Sequence, residues 1–266
     1  MSFESVLPAL AFALVAVWEA LRPARQSTLP LGLRWFGNLT VFGFGWAILL
    51  LVPFLAGLGA AEFAHEKNWG LLNVISIPGW ASLALGFVLL DLAGYWQHRL
   101  LHLAPFWRLH ALHHSDPDLD VSTAIRHHPL EALMQGFLDA LTAIAFGIPP
   151  AAVALYGGIT FLVQIVHHGN VELPKALKGL RAAIVTPEFH RVHHSVAYDE
   201  NNSNFSNLLT IWDRLFGTER RAPRGELRLG LEEFPGAGFQ RLDKMMLLPL
   251  LIAGPPPRTP VKAPRV

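Results

Sequence analysis

The sequence contains no cysteine, and this absence removes several kinds of site at once. Without cysteine the chain has no structural disulfide, no haem–thiolate and no iron–sulfur cluster of the usual four-cysteine kind. Charged side chains are also scarce, at 15% of the 266 residues, whereas a soluble domain has about a quarter. A net charge of +1 gives no reason to expect a nucleic-acid partner. The composition is therefore not that of an ordinary soluble protein.

Long uncharged stretches account for that shortage. Residues 35–61 and 68–90 contain no Asp, Glu, Lys or Arg, and each exceeds the roughly 20 apolar residues that span a bilayer. The sequence therefore predicts an all-α integral membrane protein with about four transmembrane helices, the last pair forming a helical hairpin. The helices are predicted at about 5–21, 35–60 and 71–102, and the hairpin arms at about 129–148 and 151–168.

The loop charges predict the orientation of these helices. Lys67 is the one basic residue on one side, and the positive-inside rule then puts the other loops and everything after residue 169 in the cytoplasm. The compact loops favour a bacterial inner membrane. We expect residues 1–254 to form a single membrane domain, with an apolar run at 245–253 at the membrane interface. The proline-rich residues 255–266 are predicted to be a disordered tail.

Histidine is concentrated in one part of the chain. Twelve of the 13 histidines lie between His98 and His194, and His65 is expected to be an ordinary packing residue. Residues three and four apart share one face of a helix, and imidazole is the commonest side-chain metal ligand. The groups are His98 and His102; His110, His113 and His114; His127 and His128; His167 and His168; and His190, His193 and His194.

All five groups fall at the same predicted membrane face. Each imidazole supplies one ligand and an ion takes about four to six, so this number of candidates suits two metal ions. An all-nitrogen set suits iron, zinc, copper or nickel. Spacing alone does not choose between His127 and His128, or between His167 and His168. The sequence therefore predicts a histidine-rich dimetal site at the cytoplasmic face of the membrane.

Six segments, in this order, resemble the fatty acid hydroxylase/sterol desaturase superfamily of membrane histidine-box di-iron oxygenases. The resemblance covers about residues 88–218. The segments read DLAGYWQHRLLH at 91–102, HALHHSD at 110–116, STAIRHHPLE at 122–131, VHHGNVELP at 166–174, HRVHHS at 190–195 and WDRLFGT at 212–218.

The resemblance implies a four-helix membrane anchor with a cytoplasmic helical cap, in which the histidine boxes hold two irons. These irons would oxidise a lipid with O2, by hydroxylation or desaturation. The lipid would be a fatty acyl chain, a sterol or a related isoprenoid. Electrons would come from an external ferredoxin or cytochrome with its reductase, since the chain has no dinucleotide-binding glycine motif. The implied ligands are His98, His102, His110, His113, His114, His128, His168, His190, His193 and His194.

Polar residues near the histidine boxes are expected to support this chemistry. Asp91, Asp116, Glu131 and Asn170 are candidates to orient the ligand histidines through hydrogen bonds. Arg108, Arg191 and the arginines of residues 214–228 could form a docking face for an acidic electron donor, or could contact anionic lipid headgroups.

Two other functions are compatible with the same histidines. A zinc-dependent membrane hydrolase would use a metal-bound hydroxide and would need no electron donor. A non-enzymatic membrane protein would carry a metal or bind haem. A carrier needs ligands near the bilayer midplane, and a haem needs only two histidines, so both explain the pattern less well.

Overall fold

The computed structural model describes residues 3–223, 225–234, 236–252 and 254, and the predicted proline-rich tail lies outside them. The described residues contain no β-strand, only two isolated β-bridges, so the predicted all-α class is confirmed. The α-helices are α1 (Phe3–Leu21), α2 (Leu31–Leu51), α3 (Leu58–Glu66), α4 (Leu71–Val74), α5 (Gly79–Leu101), α6 (Trp107–His114), α7 (Pro129–Phe146), α8 (Pro150–His168), α9 (Pro187–His193), α10 (Tyr198–Asn201), α11 (Ile211–Leu215) and α12 (Leu242–Leu251). Short 3₁₀ helices occur at Pro53–Ala56, Val121–Ile125, Lys175–Ala182 and Ala237–Gln240.

Three helices of the described chain, α2, α5 and α8, are long and apolar enough to cross a membrane. α1 contributes a shorter apolar stretch, Leu7–Leu21. Large apolar side chains such as Leu14, Phe36 and Trp80 are exposed on the outside of the helices. Such a surface is stable when lipid rather than water surrounds it. The chain is thus built as a membrane protein, while the count of about four spans stays a prediction.

Two predicted helix boundaries were wrong, and proline is the reason in both cases. The helix predicted at 35–60 ends at Leu51, because Pro53 has no backbone N–H to continue the helical hydrogen bonds. The helix predicted at 71–102 is divided into α4 and α5, and Pro78 precedes the first residue of α5. Proline is well accommodated there, since the first helical N–H groups have no intrahelical partner.

The two arms of the predicted hairpin are α7 and α8, joined by residues 147–149. Gly147 ends α7 with a φ of +63°, a left-handed conformation that favours glycine, and Pro150 begins α8. Both arms pack against α3 and α5. At Gly136 of α7 an added Cβ would lie 2.5 Å from the carbonyl oxygen of Leu55, so glycine permits this close approach.

The elements outside the long helices pack around α6 and the end of α8. α12 crosses α6 and α2, and its Met245 and Leu248 are buried in one core with Trp107 of α6. Leu247 and Leu250, on the other face of α12, are exposed. The run predicted to lie at the membrane interface is thus half buried against the protein. This packing holds α6, which carries three histidines, in a fixed position.

Candidate metal centre

Nine buried histidines gather in two adjacent groups. Within each group, one ring nitrogen from every histidine lies within 4.8 Å of the corresponding atoms of the others. The groups adjoin, since the ring centroids of His114 and His194 are 4.4 Å apart and those of His113 and His194 are 4.6 Å apart. Group one contains His98, His102, His110, His114 and His193, and group two contains His113, His168, His190 and His194.

Two short helices, α6 and α9, contribute to both groups in a complementary way. α6 supplies His110 and His114 to group one and His113 to group two. α9 supplies His190 and His194 to group two and His193 to group one. Positions i+3 and i+4 both lie on the same broad face as i but on opposite sides of it around the helix axis, so one turn of helix can serve two adjacent centres. The doubled histidine motif therefore has a direct geometric use.

The local sequence fixes where these helices begin and end. Thr186 caps α9, since its Oγ1 accepts a hydrogen bond from the backbone N–H of Phe189 at 3.4 Å, and Pro187 follows as the first helical residue. His98 and His102 lie at the end of α5, and His167 and His168 form the last turn of α8. The ends of α5 and α8 thus deliver histidines to the place where α6 and α9 meet.

Backbone carbonyl groups fix the orientation of several imidazoles. Where Nδ1 donates to an oxygen, that nitrogen carries the proton, and Nε2 retains the lone pair that binds a metal. Nδ1 of His98 donates to the carbonyl of Phe205 at 2.8 Å, Nδ1 of His193 to Ser203 at 2.7 Å, and Nδ1 of His168 to Gln164 at 2.9 Å.

The Nε2 atoms converge at the same place. His168 Nε2 lies 3.1 Å from His113 Nε2 and 3.0 Å from His190 Nε2, and His110 and His114 face each other at 3.2 Å. Nε2 atoms of His98 and His193 are buried without a hydrogen-bond partner among the described residues. Lone pairs aimed at one another repel unless a proton or cation lies between them. The donor set therefore fits bound cations.

Burial keeps these histidines in the neutral form that binds metals. Removal from water lowers the pKa of five histidines, in or next to α6 and α9, well below the ordinary value of 6.5. Neighbouring histidines act in the same direction, since a charge on one ring opposes a charge on the next. At neutral pH each ring therefore offers a lone pair. The residues concerned are His113, His114, His190, His193 and His194.

Glu131 is the one of the four predicted orienting residues that contacts a histidine. Its fully buried carboxylate accepts hydrogen bonds from Nδ1 of His110 at 2.7 Å and from Nδ1 of His127 at 2.9 Å. Burial opposes a charge on His127, but the Glu131 carboxylate outweighs it and raises the pKa of His127. Glu131, His110 and His127 thus form a third cluster beside group one.

The structure brings His127, and not His128, to the histidine groups. The ring of His127 stacks on His113 with centroids 4.6 Å apart. His128 instead caps α7: its Nδ1 accepts from the N–H of Leu130, and its Nε2 lies 3.2 Å from the carbonyl of Met246. The implied ligand role of His128 therefore does not fit the geometry. The i, i+4 spacing of His127 and Glu131 was the sequence signal for the alternative.

Both histidines of the other doubled position lie at the site. His168 belongs to group two, and the ring centroid of His167 is 4.2 Å from that of His190. Nδ1 of His167 is buried and has no hydrogen-bond partner within the described chain. The sequence-based preference for His168 agrees with this arrangement, and His167 lies beside the group as a neighbour of its ligands.

Asp91 and Asn170, two of the predicted orienting residues, bind other parts of the protein. Asp91 accepts from the indole N–H of Trp212 at 2.7 Å and so ties α5 to α11. Asn170 exchanges hydrogen bonds with the backbone of Arg25, at 3.0 Å and 2.8 Å. Each binds a polar group of a segment that is distant along the chain, which sequence spacing does not reveal.

Asp116, the remaining predicted orienting residue, belongs to a buried charge network beside the site. Two oxygens of its carboxylate accept from the guanidinium of Arg34 at 2.8 Å and 2.9 Å. Arg126 donates to the carbonyl of Leu112 at 2.9 Å and to Asn38 at 2.6 Å. Burial would raise the pKa of Asp116, but Arg34 and Arg126 hold it at about 2. The network fixes the segment between α6 and α7 on α2.

A cavity of about 520 Å³ leads from the long helices to the histidines. Its walls come from α2, α5, α7 and α8, and its inner end includes His98, His113 and His168. The volume is in the range of small-molecule sites. Apolar side chains such as Trp46 and Leu49 line the part formed by α2. The arrangement allows a chain-like molecule to reach the histidines from the membrane.

The fold and the site together define a class of protein: a helical membrane protein with buried histidine groups at one end of its long helices. The fatty acid hydroxylase family model matches residues 83–218, just over half of the chain, and the chain belongs to this family. The membership predicted from the histidine boxes is thereby confirmed.

Curated relatives include enzymes that act on different lipids. The chain is 34% identical to the ornithine lipid hydroxylase of Rhizobium tropici over 143 residues, which cover 53% of this chain and 43% of that protein. It is 34% identical to the alkylglycerol monooxygenase of Homo sapiens over 153 residues, 57% of this chain and 33% of that protein. A methylsterol monooxygenase of Arabidopsis thaliana is 25% identical over 179 residues, 65% of this chain and 67% of that protein. No solved structure matches the chain.

Proposed function

We propose that this protein is a membrane-embedded oxygenase that hydroxylates or desaturates a lipid with O2. Support comes from the family membership and from relatives whose names describe hydroxylation or monooxygenation of lipids. The observation that carries the proposal is the pair of adjacent histidine groups at the inner end of a membrane cavity. The matched stretches cover less than half of the ornithine lipid and alkylglycerol enzymes, so activity and substrate are inferred here.

We propose two iron ions, one in each histidine group. Their donors would be the nitrogens of His98, His102, His110, His114 and His193 for one ion, and of His113, His168, His190 and His194 for the other. His127 and His167 adjoin these sets and replace His128 as candidates for an additional contact. Zinc can occupy such a nitrogen set as well, so a purified sample could contain it.

Bound iron would supply the redox chemistry that an unactivated C–H bond requires. The residues of the chain do the rest of the work. Glu131 and the carbonyl groups of Phe205 and Ser203 hold a proton on Nδ1 of the histidine that each contacts. The Nε2 atom of that histidine is then free to bind a metal ion. The cavity would place the alkyl part of the lipid beside His98 and His168, and the burial of the histidines excludes bulk water.

We propose that electrons come from a separate ferredoxin or cytochrome with its reductase. The exposed guanidinium groups of Arg214, Arg221 and Arg228 would form part of a basic docking face for an acidic donor. Arg191 cannot contribute to that face as expected, because it is buried and donates to the carbonyl of Val171 at 2.8 Å. The cytoplasmic orientation and the bacterial inner membrane remain part of this proposal.

Comparison of lipid extracts tests the activity. Cells that carry the gene are compared by mass spectrometry with cells that lack it, and with cells carrying His193→Ala. We expect a lipid with one added oxygen, or with two hydrogens fewer, only with the wild-type gene and only in air. His65→Ala is the matched control, since His65 is exposed and distant from the histidine groups.

The same experiment separates the proposal from a zinc hydrolase or a metal or haem carrier. A hydrolysed lipid that forms equally without oxygen, in a protein that contains zinc and no iron, would favour the hydrolase. Unchanged lipids, together with bound haem or a transported metal, would favour the carrier. Either result would contradict the proposed oxygenase.

A further inference from the structure

The wall of the membrane cavity contains a carboxylate that the proposed chemistry does not use. Asp139 of α7 lines the cavity, and its side chain is exposed there. α7 packs against α2 and α5, and an acidic residue among membrane-spanning helices is costly and normally faces a partner or a polar cavity. Asp139 belongs to neither histidine group. Its presence at this place therefore requires another explanation.

Asp139 is held in position but is only partly satisfied. Its Oδ1 accepts a hydrogen bond from Nε2 of Gln97 at 2.9 Å, and Gln97 directly precedes His98 on α5. No basic side chain of the described residues forms an ion pair with it within 4 Å. A carboxylate has about four acceptor sites, so most of its capacity is left for a molecule in the cavity.

Asp139 is the outer end of a polar stripe along α7. Glu131, Gln135 and Asp139 are spaced four residues apart, so they share one face of the helix. Gln135 donates to Glu131 at 3.3 Å, and both Gln135 and Asp139 line the cavity. Gln164 of α8 lines it as well. A wall built only for an alkyl chain would need none of these amide and carboxyl groups.

We propose that Asp139, positioned by Gln97, binds a hydrogen-bond donor of the substrate, so that the substrate is a lipid with a hydroxyl or amide N–H group inside the cavity. This inference rests on the proposed function, because it takes the cavity as the substrate site. Eight residues separate Glu131 from Asp139, which is about 12 Å along the helix axis. The donor would therefore sit about 12 Å from the carboxylate that contacts His110.

Two matched probes test this directly in detergent-solubilised protein. 1-Hexadecanol has a hydroxyl donor, whereas 1-methoxyhexadecane has the same oxygen and no donor. A hydrogen bond to a carboxylate predicts about tenfold tighter binding of the alcohol to the wild-type protein. In Asp139→Leu the two probes should bind equally. In Asp139→Asn, whose amide oxygen still accepts, the preference should fall to a few-fold.

Controls separate this inference from a folding defect and from the proposed activity. Asp243→Asn, at an exposed site on α12, should keep the tenfold preference. Metal content and the thermal midpoint of the Asp139 variants should equal those of the wild type, since Asp139 is not a proposed ligand. Equal binding of both probes to the wild type, or an unchanged preference in Asp139→Leu, would overturn the inference. A normal preference without any oxygenation would instead overturn the proposed function.

Discussion

At the scale of the residue, the protonation of each imidazole decides what the site can bind. A ring that donates from Nδ1 to a fixed oxygen presents Nε2 as a lone pair, and the structure provides such an oxygen for His98, His168 and His193. Glu131 does the same for His110 with a charged acceptor, which strengthens the bond. The oxygens around the histidines are therefore as important to metal binding as the rings.

Glu131→Gln should weaken metal binding by about 10- to 100-fold. Both rings donate to the same oxygen, Oε1, and the neutral amide oxygen of glutamine would accept these two bonds, from His110 and His127, more weakly than the charged carboxylate does. Competition with a chelator of known affinity measures the loss. Glu62→Gln, at an exposed glutamate of α3, is the control and should not change the affinity. Equal affinities for the two variants would show that Glu131 does not orient a ligand.

His128→Ala should keep the full metal content. His128 caps α7 and does not approach the histidine groups, so its loss should cost about 0.5–2 kcal/mol of stability and no ligand. Metal analysis and thermal unfolding of the purified variant give both quantities. The neighbouring substitution His127→Ala removes a ring that stacks on His113. It should lower the metal content and leave the capping of α7 intact. Loss of a metal ion in His128→Ala would restore the ligand role implied by the family resemblance.

Residues differ in how well the sequence predicts their place. The spacing of the histidine motifs on α6 and α9 was sufficient to predict that these rings converge, because residues on one or two turns of helix have fixed relative directions. The choice between His127 and His128 was not, since it depends on tertiary contacts: His127 reaches Glu131 and stacks on His113, while His128 turns back to cap α7. Asp91 was predicted to orient a ligand histidine, yet its partner Trp212 is 121 residues away along the chain.

At the scale of the element, short helices provide the site and the long helices provide its frame. α6 and α9 each divide their histidines between the two groups, while α5 and α8 end at the site. The positions of these helices depend on close contacts between helix backbones. Proline and glycine therefore decide where several helices begin and end and how closely they pack. The sequence predicted the hairpin break at residues 149–150 from this chemistry but missed the effects of Pro53 and Pro78.

Gly136→Ala should destabilise the protein. The added Cβ would lie 2.5 Å from the carbonyl oxygen of Leu55, so α7 or the 3₁₀ helix at Pro53–Ala56 would have to move. Gly158→Ala in α8 is the matched control, because nothing lies within 4 Å of its added Cβ. Alanine favours a helix by up to about 1 kcal/mol over glycine, so the control should be neutral or more stable. A thermal midpoint of Gly136→Ala that equals or exceeds that of the wild type would contradict the packing described here.

At the scale of the whole molecule, burial of many histidines in one place makes stability depend on pH. The pKa values of His113, His114, His190, His193 and His194 are lowered in the folded protein. In the unfolded chain they return to about 6.5. Below that pH the unfolded chain binds more protons, so the free energy of unfolding falls as the pH falls. His127 acts in the opposite sense, because its pKa is raised, and so does the buried carboxyl group of Asp120, whose pKa is also raised.

Metal-free protein should therefore unfold at a temperature several degrees lower at pH 5.5 than at pH 7.5. The Asp116 network makes no difference in this range, since an aspartate with a pKa of about 2 stays ionised throughout. Thermal unfolding of chelator-treated protein in detergent measures the shift. A midpoint that is equal or higher at pH 5.5 would show that the histidines are not buried as neutral rings.

The proposed chemistry depends on two metal ions held by the two histidine groups, and metal analysis of the protein purified without oxygen is its sharpest test. We predict two iron ions per chain in the wild-type protein. We predict a clear loss of bound metal in both His113→Ala and His193→Ala, which remove one ring from each group, and no loss in His65→Ala. A wild-type protein that binds at most one ion, or variants that both keep two, would contradict the account.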